Sequence, residues 1–135
     1  MDWKLELVVV PVADQDRAKA FYVDAMGFTL IVDHRAGEHF RVVQASPPGS
    51  ACAVALMANP ESAGTLQGLH LVVPDIQQAR AEVVGRGVDA GPLVHYVDGR
   101  PEDGPDPERQ DYNTFFEFHD PDGNGWLVQE VSSRP

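Results

Sequence analysis

The sequence predicts an α+β protein built from two βαβββ modules, and three observations lead there. A strand–cap–helix unit occurs twice: a shift of 61 residues superposes Val12 on Val73, Asp14 on Asp75, Ala18 on Ala79 and Tyr22 on Val83. Each helical segment is followed by three runs with the two-residue alternation of strands. Hydrophobic residues make up 43% of the 135 residues, enough to fill a packed interior.

Residues 5–10, LELVVV, read as a buried strand ending near Pro11. Asp14 is placed to cap a helix over 15–26, with Ala18, Phe21, Tyr22 and Ala25 on one face. Gly27 suits its left-handed stop. Strands are expected from Phe28 to His34, His39 to Ala45 and Ala51 to Ala58, with turns at Gly37 and at Ser46-Pro47-Pro48-Gly49-Ser50. The second module opens with GLHLVV at 68–73, followed by a helix capped by Asp75 and ended by Gly87. Its apolar face carries Ile76, Ala79 and Val83. Strands are then expected around Val88 to Tyr96, Tyr112 to His119 and Gly125 to Val131. The modules span about 4–60 and about 66–132 within a single domain over 1–135. Segment 98–111 holds three prolines and two glycines, so neither helix nor strand is expected there. A loop of that length is read as a lid or as a disordered stretch.

The net charge of −11 would repel a phosphate backbone or an anionic bilayer, which argues against nucleic-acid and membrane partners. No apolar run approaches the roughly 20 residues of a membrane span. Met1-Asp2-Trp3-Lys4 does not open a secretion signal, and one cysteine cannot form an internal disulfide. A cytoplasmic location is therefore expected. Cys52 itself reads as a small buried hydrophobe on a strand. No Gly-rich phosphate loop, Ser-His-Asp spacing, cysteine pair or basic-aromatic stripe is present.

Val12-Ala13-Asp14 leading through Phe21-Tyr22 to Gly27-Phe28, then Val73-Pro74-Asp75, then Phe118-His119-Asp120-Pro121-Asp122-Gly123-Asn124 form an ordered set across nearly the whole chain. In that order and spacing the chain resembles the vicinal oxygen chelate superfamily, which contains glyoxalase I, extradiol dioxygenases and bleomycin-resistance proteins. The resemblance implies paired modules curving into a cup that holds a small-molecule ligand, often completed in a homodimer. It also implies, for enzymatic members, a divalent metal held by His or Glu from the first and last strands of each module. The matching positions here are Leu7, Gly68, Leu127 and, at the end of the fourth strand, Leu56, with Ala55 and Met57 beside it. None offers the nitrogen or oxygen donor such a cation needs, so neither metal nor cofactor is expected.

Strand alternation indicates what faces the cup instead. Leu7 and Val9, then Gly68, His70 and Val72, then Phe115, Glu117 and His119, and finally Leu127 and Gln129 take the cup side. Tyr96 and Tyr112 flank the 98–111 loop and are placed to clamp a flat ligand at the mouth. His34 and His39 read as solvated turn residues, His95 and His119 as strand ends without a visible partner, and Trp126 as a core anchor. A mainly apolar cavity with a few polar groups has the usual form of a small-molecule site. The expected function is metal-independent binding of an apolar or aromatic small molecule, antibiotics included, similar to the sequestering proteins of the superfamily. The alternative is a glyoxalase-like lyase or isomerase, or a dioxygenase. It would rely on a metal, or on Glu117 and His70 as acid–base groups.

Overall fold

The computed structural model describes residues 1–133, and the chain divides into two compact units. The first comprises Met1–Leu66 with Asp120–Asn124; the second comprises Gln67–His119 with the C-terminal residues from Gly125. No helix among the described residues is long and apolar enough to cross a membrane.

The first unit holds β1 (Leu7–Val12), α1 (Gln15–Lys19), β2 (Thr29–Ala36), β3 (Phe40–Ser46) and β4 (Ala53–Ala58). Its four strands lie in the order β1-β4-β3-β2, with β1 parallel to β4 and the other pairs antiparallel. Asp14 caps α1 by accepting from the N–H groups of Asp16 and Arg17. The expected α-helix over 15–26 is corrected beyond Lys19, because Ala20–Ala25 form a π-helical turn in which Met26 N–H donates to Phe21 O. Such a turn holds one residue more than an α-turn and shifts the side-chain phase. Within it Tyr22 is fully buried and donates its hydroxyl to Asp120 Oδ2 at 2.8 Å.

The core of this unit lies on one sheet face. Val10, Leu56 and Val43 sit in register across three strands, and all are fully buried. Gln15 fastens α1 to that sheet by donating to Arg41 O and Leu56 O, each at 2.8 Å. The turn Asp120–Asn124 is a polar hub rather than a bare hairpin turn. Asp120 Oδ1 accepts from the N–H groups of Asp122, Gly123 and Asn124. Asn124, fully buried, donates to Pro11 O and Asp120 Oδ2 and accepts from Leu66 N–H. Cys52, expected on a strand, stands just before β4 and is half-buried.

The second unit holds β5 (Leu69–Val73), α2 (Ile76–Gly85), β6 (Val94–Val97), β7 (Arg100–Asp103), β8 (Thr114–His119) and β9 (Gly125–Glu130). The strand order is β5-β9-β8-β6-β7, with β5 parallel to β9. Asp75 caps α2 through Gln78 N–H. Ile76 and Val83 of α2 are buried, as are Phe116, Phe118, Trp126 and Val128 on the sheet face that α2 covers. Trp126 stacks on Phe118 with ring centroids 5.8 Å apart. Each such aromatic ring contributes roughly 2–3 kcal/mol by leaving water.

Two expectations are corrected here. The strand expected from Val88 starts only at Val94, because Gly91 N–H turns to Glu117 O and Pro92 has no N–H for a ladder. Segment 98–111 does contain a strand: Val97 pairs with Arg100 around Asp98-Gly99, whose φ values of 50° and 76° fit a tight primed hairpin turn. The rest of the segment is tied down by side chains. Asp106 is buried and accepts from Glu108 N–H, Gln110 N–H and Asn113 Nδ2. Those bonds, Asn113's first, hold its carboxyl below the usual carboxylate range. Arg109 pairs with the buried Glu130, which also accepts from Ile76 N–H at 3.0 Å.

Candidate functional site

Alternation in β8 and β9 leaves a second face of this sheet open, opposite the one under α2. Two rows of residues cross it in register. The first is His70, Leu127 and Glu117; the second is Val72, Gln129, Phe115, Val94 and Asp103. Within this face lies a cavity of about 370 Å³, inside the roughly 300–1,000 Å³ range of small-molecule sites. Its walls are Pro92, Val94, Tyr96, Phe115, Glu117 and Leu127, together with Phe116, whose neighbours on both sides face the opening.

Each wall has a local cause. Tyr96 and Phe115 meet edge to face, with centroids 5.8 Å apart and planes at 80°. Asn113 continues the ladder where backbone pairing stops: its Oδ1 accepts from Tyr96 N–H and its Nδ2 donates to Tyr96 O. The same Nδ2 donates to Asp106, so the loop after β7 fixes the strand that carries Tyr96. On the other side, Gly91 approaches so closely that an added Cβ would stand 3.3 Å from Glu117 O. Arg80 of α2 holds that segment by donating to Gly91 O and Ala90 O.

Of the residues expected at a ligand site, Tyr96, Phe115, Glu117 and Leu127 come together in this cavity. Gln129 and His70 share the open face but do not line the cavity. His70 is exposed, and its Nδ1 donates to Gly68 O at 2.6 Å, which leaves Nε2 as the acceptor of the neutral ring. Gly68 is exposed with φ of 83°. Tyr112 is half exposed with φ of 65° and does not line the cavity. Leu7 and Val9 belong to the first unit, where Val9 is 54% exposed on the face away from the core. Leu56 is corrected: it pairs with Val10, is fully buried, and lies on the helix side, while Ala55 and Met57 take the open side. His95, read without a partner, is buried and donates from Nδ1 to Gly104 O at 2.8 Å.

Pro92, Val94 and Asn113 are additions. The alternation of Val94 with Tyr96 was a usable signal for Val94; nothing local marks Pro92 or Asn113 as site residues.

The metal of the enzymatic relatives finds no fit in these residues. Leu7, Gly68, Leu127 and the 55–57 positions carry no donor side chain for a hard or borderline cation. Among the described residues, no three His, Cys, Asp or Glu side chains are grouped to hold a metal ion.

Comparison with known proteins agrees with this architecture. A family described as the Glyoxalase/Bleomycin resistance protein/Dioxygenase superfamily matches residues 4–128. The antibiotic binding protein TnmS3 from Streptomyces sp. CB03234 is 31% identical, with a TM-score of 0.76 over 97% of this chain and 98% of that one. A glyoxalase/bleomycin resistance protein from the same organism is 32% identical, with a TM-score of 0.71 over 93% and 99%. YetH of Bacillus subtilis (strain 168), an uncharacterized protein, is 26% identical over 91% of this chain and 94% of its own length. With a match over residues 4–128, two α+β units of the expected strand–helix–strand order and this likeness to solved members, the chain belongs to the Glyoxalase/Bleomycin resistance protein/Dioxygenase superfamily.

Proposed function

We propose that the protein binds an apolar or aromatic small molecule, antibiotics included, without a metal and without transforming it. The observation that supports this most is the cavity of the second unit, where an edge-to-face aromatic pair and two aliphatic side chains surround one carboxylate. Such a lining gains by excluding water from a flat apolar ligand, while the few polar groups orient it. Likeness to the antibiotic binding protein TnmS3 at 31% identity supports the same class of ligand. Acid–base catalysis by Glu117 and His70 has less support. The two are in register with Leu127 between them, two strand spacings or roughly 10 Å apart, and no hydrogen bond links them.

Calorimetric titration with a panel of antibiotics and aromatic metabolites tests the proposal. At least one micromolar ligand is expected, and Phe115→Ala should weaken it about tenfold or more, as truncation of an aromatic anchor does. No binder across the panel, or a binder indifferent to Phe115, would contradict it.

A further inference from the structure

We propose that the ligand of this cavity carries a positive charge, a protonated or quaternary nitrogen on a flat apolar body. The inference rests on the binding function above and adds the ligand's charge to it. Glu117 is the one carboxylate in the cavity wall, and it makes no ion pair with any described residue. Glu130, on the neighbouring strand and the opposite face, shows the contrast: it is buried, paired with Arg109, and consumed by the fold.

A second carboxylate stands on the same open sheet face, outside the cavity wall. Asp103 of β7 is the register partner of Val94, so both side chains project from the cavity face. The open positions of the five strands include no lysine or arginine to balance the two acids. The walls also include the rings of Tyr96 and Phe115, and the face of an aromatic ring carries partial negative charge that attracts cations. An anionic ligand would face Glu117 in the wall and Asp103 on the same sheet face, with no lysine or arginine at these positions to offset them. A neutral one would fill the cavity but leave Glu117 without a counter-charge. A cationic nitrogen takes up both features, by a charge-assisted hydrogen bond to Glu117 or by contact with the rings.

Three acridines of similar size serve as probes: 9-aminoacridine, cationic near neutral pH; acridine, uncharged in slightly alkaline buffer; and acridine-9-carboxylate. Titrations at fixed ionic strength should rank them in that order, with the cation at least about tenfold tighter than acridine. Glu117→Gln should erase most of that preference, bringing the affinities for the cation and for acridine to within about twofold of one another. Glu38→Gln, which makes the same change of charge on the β2–β3 turn, should alter nothing. Equal affinity for cation and neutral probe would overturn the charge assignment and leave the binding function standing. A preference that survives Glu117→Gln, or that Glu38→Gln abolishes equally, would overturn it too, by tracing the effect to net charge. If none of the three binds while the antibiotic panel does, the charge assignment fails alone; if both series fail, the binding function fails with it.

Discussion

Tyr22, Asp120 and Asn124 show how single polar residues hold this chain together from the inside. The Tyr22 ring is fully buried, and its hydroxyl reaches a carboxylate that also serves three backbone N–H groups and Asn124. Among the described residues no buried side-chain nitrogen or oxygen lacks a partner, so every member of this group is satisfied. Removing one donor from such a group is costly, because its acceptor stays buried. Tyr22→Phe keeps the ring and deletes only the bond to Asp120. Denaturant unfolding should register a loss of about 2 kcal/mol, the worth of a hydrogen bond to a charged acceptor. A change below a few tenths would show that the hydroxyl bond does not hold the turn. Residue type alone could not reveal this role. Tyr22 read as one apolar-face residue of a helix, and the DPDGN turn as ordinary hairpin chemistry, because their partnership spans 98 positions. Glu117 and Glu130 make the same point from the other side. Strand phase put Glu117 on the open face, as the structure does, but the burial of Glu130 depends on Arg109 in a distant loop.

The elements that were legible owe it to local physics. Asp14 and Asp75 cap helices because a carboxylate next to free N–H groups is stabilised wherever the chain turns helical. Alternation assigned the faces of β1, β5, β8 and β9 because one face of each is more deeply buried than the other. Leu56 was placed by the resemblance, not by alternation, and three successive buried residues, Val54 to Leu56, give no period there to correct it. Segment 98–111 was misread through its prolines, although Asp98-Gly99 between Val97 and Arg100 is a strong hairpin signal. Pro101 sits in β7, an edge strand, where a missing N–H costs nothing. The order of the rest rests on carboxylates. Asn113 and the Glu108 N–H group hold the Asp106 carboxyl below its ordinary range, and the Ser133 and Ser132 bonds do the same for Asp111. A carboxyl with a lowered folded-state pKa adds stability above its unfolded value and loses it as pH falls through the folded one. Protection of amides 104–113 from hydrogen exchange should therefore stay level at neutral pH and decline below about pH 4. Asp106→Asn should lower that protection at neutral pH and flatten the decline. Protection that is already absent at neutral pH would mean the segment is not tied down as described.

At the scale of the whole molecule, the two-module plan could be read from a 61-residue repeat, because each module needs the same cap, helix and alternating strands to bury one sheet face. The modules then diverge where function is drawn. The second has the extra strand β7 and an Asn113 side chain that prolongs the ladder, and its open face holds the aromatic cavity. Hydrocarbon or bare backbone stands at each position that the resemblance matches to a metal donor, and the proposed recognition therefore rests on apolar burial with Glu117 and Asp103. The most direct test is a calorimetric titration of the tightest panel ligand into the protein before and after exhaustive treatment with a strong chelator. An affinity unchanged by the chelator and weakened about tenfold or more by Phe115→Ala is the predicted result. Binding that vanishes with the chelator and returns on adding a divalent transition metal would contradict the account.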